Sequence, residues 1–132
     1  MKKTLINIGL LLVLLFPLIT YGQSQTYIAH YIEESHIRHD TLTDKTTGVK
    51  FILDKQRIYI TAVDKNGKQL WKTDPATDSK LDEYRVKRPV IVYFEFGKDR
   101  SGNNQVVSIC YNNSQFGYID KTSGGFTFDG QD

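Results

Sequence analysis

Few side chains in this chain are able to do chemistry. Three histidines, His30, His36 and His39, crowd one short stretch, and "HIRH" sets His36 and His39 three apart. On a helix that spacing puts two metal ligands on one face, whereas on an extended strand the two positions point to opposite faces. The surrounding residues favour a strand, and Arg38 between the imidazoles repels a cation. Surface histidines are expected, and no metal site. Cys110 is the single cysteine. It cannot form a disulfide within the chain, and its place in the alternating run "QVVSICY" suits a buried, inert thiol. No Gly-x-Ser-x-Gly elbow is present to activate a serine. Glu95 and Asp99 are acids of the kind that glycosidases pair, but nothing in the sequence selects a pair. No catalytic residue, metal ligand or cofactor is assigned, and an enzyme is not expected.

A second set of residues repeats. "DKTTG" at 44–48, "DKNG" at 64–67 and "DKTSG" at 120–124 each place Asp-Lys ahead of a glycine, with strand-forming residues on both sides. An Asp carboxylate accepts from backbone N–H groups two residues on, and glycine takes the left-handed conformation freely. Asp44, Asp64 and Asp120, with Gly48, Gly67 and Gly124, are therefore expected to close hairpins. Calcium would need six or more oxygens; each unit offers one carboxylate followed by a lysine. A phosphate loop needs a helix after the glycines, and here a strand follows.

The elements that carry these residues are β-strands. Tyr, Phe, Ile, Val and Thr dominate after residue 22, Ala is scarce, and no long 3.6-residue apolar rhythm occurs. Runs at 26–34, 36–42, 48–54, 57–64, 68–74, 90–97, 105–111, 115–120 and 125–128 predict about nine short strands. Lys55 and Gln56 alone separate two of the runs, which suggests a tight hairpin. In "VIVYFEFG" the alternation puts Val90, Val92, Phe94 and Phe96 on one face and Ile91, Tyr93 and Glu95 on the other. The segment 74–89 is charged and holds Pro75 and Pro89. It reads as a surface loop, with one helical turn around "SKLDEY" capped by Ser79. The fold class is all-β: a small antiparallel sandwich, barrel or meander with hairpins closed by Asp-Lys…Gly turns.

Residues 1–22 read as a signal peptide, with Lys2 and Lys3 ahead of an apolar run and small residues at Thr20 and Gly22. A single β domain at 23–132 would follow, exported to a periplasm or secreted. Loss of Lys2 and Lys3 takes the formal charge from +2 to zero. A neutral surface makes no electrostatic case for nucleic acid, and no membrane association is expected after cleavage.

Two stretches, 56–74 and 114–130, resemble single blades of the quinoprotein-type (PQQ-like) β-propeller repeat family. Ala62, Asp64, Gly67 and Trp71 match the blade pattern, as do Asp120 and Gly124, with Phe128 in the place of Trp. The resemblance implies the blade's hairpin geometry, with Trp71 and Phe128 as packing residues. It departs at the Asp64–Gly67 gap, one residue short, and in length, since a propeller closes with at least four blades. No quinone, metal or dehydrogenase activity is carried over.

The expected function is a non-catalytic binding or interaction module. Aromatic residues make up 12% of the chain, enough that some must face outward, and Tyr59, Tyr93, Tyr111 and Tyr118 are the candidates. "YRVKRP" at 84–89 adds a basic contact patch through Arg85 and Arg88. The partner would be another protein or a second copy of the chain. The alternatives are a small hydrolase or sugar-acting enzyme and an inhibitor or chaperone of a periplasmic enzyme.

Overall fold

The computed structural model describes residues 37–132, which form two four-stranded antiparallel sheets and one helical turn. The strand expected at 26–34, His30, His36 and the leader 1–22 lie outside the described residues. The first sheet takes β1 (Thr41–Thr43), β2 (Lys50–Leu53), β3 (Ile60–Val63) and β4 (Gln69–Thr73) in that order. The second takes β5 (Ile91–Lys98), β6 (Gln105–Tyr111), β7 (Phe116–Ile119) and β8 (Phe126–Gly130), again in chain order. Every neighbouring pair is antiparallel, and no barrel closes among the described residues. A helical turn, α1 (Pro75–Asp78), and the loop after it connect the sheets.

Strand alternation decides which face is buried. In β2, Phe51 and Leu53 point inward while Lys50 and Ile52 stay exposed, and in β3 Ile60 and Ala62 are buried. These side chains join Ile91, Phe94, Val107, Ile109 and Ile119 of the second sheet in one core. Phe51 bridges the layers, with its ring 6.0 Å from Phe96 at 88° and 5.7 Å from Trp71. In β5 the simple alternation fails. Its register with β6 shifts between Ile91 and Tyr93, so Ile91 and Val92 are both buried, at 0% and 1% exposure. A bulge of this kind re-aims a side chain by one position.

Tyr111 corrects a second expectation. It does not face outward: it is 1% exposed and sits in the core against Phe126, ring centroids 6.3 Å apart. Its hydroxyl is buried and makes no hydrogen bond of good geometry among the described residues, although the Ala76 amide lies near it. Burial pushes the phenol up, the Asp74 and Asp78 carboxylates add to the shift, and the nearby Ala76 amide opposes it. An unsatisfied buried hydroxyl costs about 1–3 kcal/mol, more than a phenylalanine there would lose. Tyr111→Phe is therefore expected to raise the unfolding free energy by about 1 kcal/mol, measured by urea titration.

Among the described residues six hairpins close on a residue with positive φ, although only three were legible from the Asp-Lys repeat. In the 44–48 and 120–124 turns the glycine N–H donates to the carbonyl of the Asp four residues back, at 2.8 and 2.9 Å. In the 64–67 turn Gly67 donates to Asp64 O at 3.0 Å. The Asp Oδ1 atoms accept from Thr46, Asn66 and Thr122 amides at 2.8, 2.8 and 2.9 Å. Asp99–Gly102 repeats the frame, as does Asp54–Arg57, where Arg57 itself adopts φ 59°. The β2–β3 connection is thus a tight hairpin, as expected, closed on this same frame. Tyr111–Ser114 is the sixth, with Ser114 at φ 71° in the place of glycine.

The glycines are not equivalent. A Cβ on Gly67 (φ 83°) would meet nothing within 4 Å, whereas one on Gly124 (φ 75°) would lie 2.7 Å from the Trp71 ring. Gly67→Ala is expected to cost about 1 kcal/mol through backbone strain alone. Gly124→Ala should cost about 2 kcal/mol, because Trp71 must also move. Equal losses in thermal melts would contradict this packing.

Candidate functional site

The hairpins divide the molecule into two ends. At the first, the turns 44–48 and 120–124 lock together across the sheets. Lys121 Nζ lies 2.6 Å from Asp44 Oδ2 and also donates to Gln105 Oε1 at 2.7 Å. Trp71 Nε1 donates to Lys121 O at 3.1 Å. The Lys121 ammonium holds the Asp44 carboxyl at about 2, helped by the Thr46 and Thr47 amides and opposed by partial burial. Asp120 is lowered chiefly by the Ser123 amide. Asp99 is held at about 2, mainly by the Ser101 hydroxyl and the Asn104 amide group. Every carboxyl here with a displaced pKa moves down, and each one accepts hydrogen bonds from its own turn. A general acid at neutral pH needs the opposite shift. Beside the ion pair lies a cleft of about 410 Å³, lined by Val49, Phe51 and Leu70.

The second end carries the segment 74–89, and local chemistry explains its path. Pro75 opens α1 and Asp74 caps it, accepting from Thr77 N at 3.2 Å and Thr77 Oγ1 at 2.9 Å. Ser79 does not cap a following helix. It ends α1, and its hydroxyl donates back to Pro75 O at 2.5 Å. Asp74 and Pro75 are buried, so the segment begins inside the fold and becomes a surface loop only afterwards. Leu81 packs on the core, and the chain then turns sharply, Val86 N donating to Tyr84 O at 2.6 Å.

The Tyr111–Ser114 hairpin holds this loop. Asn113, Ser114 and Gln115 are 0%, 0% and 1% exposed. Burying such groups is unfavourable unless they are bonded, and here they are bonded to the loop and to the end of the chain. Gln115 Nε2 donates to Asp82 O at 3.0 Å and to Gln131 Oε1 at 3.3 Å. Asn113 Nδ2 donates to Tyr84 O at 3.0 Å and to Gln115 Oε1 at 2.7 Å. Ser114 Oγ donates to Asp132 O at 2.9 Å and accepts from Arg85 at 3.3 Å. The other five hairpins close with one Asp and a left-handed residue. This one buries three polar side chains on a neighbouring segment.

The remaining sequence candidates fall as follows. Tyr93 is exposed, at 37%, and Tyr59 and Tyr118 are half-buried. Burial, then the Glu95 charge, raises the Tyr93 phenol. Tyr93, Cys110 and Tyr118 share the outer face of the second sheet, since Tyr93 pairs with Cys110 and Tyr118 with Ser108. Tyr59 stands just before β3, its ring under Lys72 at 4.6 Å. Cys110 is half-buried and not a core residue, and burial pushes its thiol up to about 11. Phe128 is 43% exposed, and Phe126 is the phenylalanine packed on the core. Arg85 and Arg88 both lie on the exposed loop, Arg88 reaching Asp74 at 3.4 Å. His39 is exposed, and no group of three or more His, Cys, Asp or Glu able to hold a metal occurs among the described residues. Sequence reading missed Asn113, Ser114 and Gln115. Their one signal was "NNSQ" standing where the neighbouring hairpins carry Asp and Gly. No protein-family model, curated protein or solved structure matches the chain.

Proposed function

We propose that the chain is an exported, non-catalytic interaction module that presents the 79–89 loop ready-formed to another protein. The observation that carries this reading is the set of buried side chains, Asn113, Ser114 and Gln115, that hold an exposed loop. A loop ordered before binding loses less conformational freedom when a partner arrives. The positive φ of Arg85, 57°, and of Lys80, 54°, is tolerated because the surrounding bonds over-determine the path.

The same loop favours one form of the alternatives, an inhibitor or chaperone of a periplasmic enzyme, which would use a rigid protruding segment with basic residues. The hydrolase reading has less support, since the displaced carboxyls are lowered. On the propeller-blade likeness, the two sequential meanders would count as two blades. The reading includes no cofactor, nucleic acid or membrane partner.

A photoreactive amino acid at position 85 tests the proposal, with the same group at Lys50 on the outer face of the first sheet as control. Expected is a single discrete adduct from position 85 in the exported fraction and none from position 50. Equal labelling from both positions would overturn the loop as the contact element.

A further inference from the structure

We infer that the loop apex, residues 84–88, is built to contact an acidic protein surface; this rests on the interaction-module reading above. The apex is Tyr-Arg-Val-Lys-Arg, three cations without an acid. Arg85, Lys87 and Arg88 are all exposed. The other hairpin lysines make no such group. Lys45, Lys55, Lys65 and Lys121 each follow an Asp of their own turn, and Arg57 and Lys68 each add a second cation to one of these turns, so none gathers three cations without an acid. Asp82 and Glu83 lie before the apex, and Asp74 is already engaged by Arg88. Lys87 makes no hydrogen bond or ion pair with the described residues.

The cations are also positioned. The Arg85 guanidinium stands 4.8 Å from the Tyr84 ring centroid and donates to buried Ser114. Tyr84 is anchored in turn, its carbonyl by Asn113 and its hydroxyl by Asp132 O at 2.7 Å. Left-handed backbone alone marks nothing, because Arg57 shows it in an ordinary hairpin. At Arg85 it coincides with bracing from buried side chains. A guanidinium resting on a ring keeps further N–H groups in one plane, the arrangement that pairs with carboxylates. Tyr84, Val86 and Pro89 interleave with the cations, a mixture of aromatic, apolar and Arg groups typical of protein interfaces. Nucleic-acid affinity rests on more phosphate contacts than three cations supply.

The test follows amide resonances of the purified protein at low salt as a hexaglutamate peptide is added. A single-stranded oligonucleotide and vesicles of anionic phospholipid serve as the competing anions. Expected are shifts concentrated at 84–88 and Ser114, larger with the peptide than with either competitor. Lys87→Gln should weaken peptide binding about fivefold. Lys87 braces nothing, so its loss leaves loop hydrogen exchange unchanged. Arg85→Ala should weaken binding further. The inference is overturned by shifts spread equally over Lys45, Lys65 and Lys121, by a stronger response to the oligonucleotide or vesicles, or by an unaltered Lys87→Gln. Slow loop exchange without a peptide response would sink the acidic partner and leave the module. Fast loop exchange in the free protein would sink both.

Discussion

Lys121→Met is expected to lower the unfolding free energy by about 3 kcal/mol at pH 7, because it strands the Asp44 carboxylate. Removing one partner of a buried pair costs about 3–5 kcal/mol. The lower end applies, since Lys121 keeps 22% of its side chain exposed and the Thr46 and Thr47 amides still bond Asp44. The pH dependence gives a sharper test. The Asp44 carboxyl drops from 3.8 to about 2 on folding. A folded pKa below the unfolded one contributes stability that is complete above about pH 4 and lost as pH falls through about 2. The shift corresponds to about 2 kcal/mol. Asp44 is 5% exposed, but its partner Lys121 keeps 22% of its side chain in solvent, and screening brings the contribution to about 1–2 kcal/mol. The gap between wild type and Lys121→Met in urea titrations should therefore narrow as the pH is lowered from 5 to 2. A gap independent of pH would show that Lys121 contributes packing and not charge.

Gln115→Ala should cost a further, independent amount of about 3 kcal/mol. The substitution leaves a void at a fully buried position and removes partners from Asn113 Nδ2, Asp82 O and Gln131. Its second consequence is local. Amides from 80 to 88 should exchange at rates typical of unbraced loops, while those of β2, β3 and β6 keep their protection relative to global unfolding. The variant at the other end, Lys121→Met, should leave the loop amides protected. If both variants loosen the loop alike, the bracing is a property of the whole fold and the interaction-module reading loses its main support.

The different legibility of the two ends has a physical origin. The Asp-Lys turns were readable because their geometry is local: an Asp carboxylate and a left-handed glycine act within five residues. Asp54–Arg57 escaped notice because Arg57 occupies the left-handed position that glycine normally marks. The loop brace was not readable. Asn113 and Gln115 find their acceptors 29 and 33 residues away, and "NNSQ" alone looks like another polar turn. Tyr111 was assigned outward by an alternation that both faces of an apolar strand satisfy equally. Ser-Lys-Leu-Asp has the composition of a helix start with Ser79 as its cap, but Asp74-Pro75 starts the helical turn five residues earlier.

By itself the sequence determined that the described chain is all-β, that polar turns alternate with short strands, and that single Asp residues close several of those turns. These are consequences of side-chain period, β-branched and aromatic content, and bonds within a few residues. Tertiary structure alone decided that the eight strands of the described residues divide into two sequential sheets of four, which side of β5 faces the core, and that Lys121 meets Asp44 across 77 positions. It alone turned the 79–89 segment from a charged stretch into a braced loop. Those outcomes depend on which distant groups are buried together, and a buried polar group takes its meaning from the partner that satisfies it.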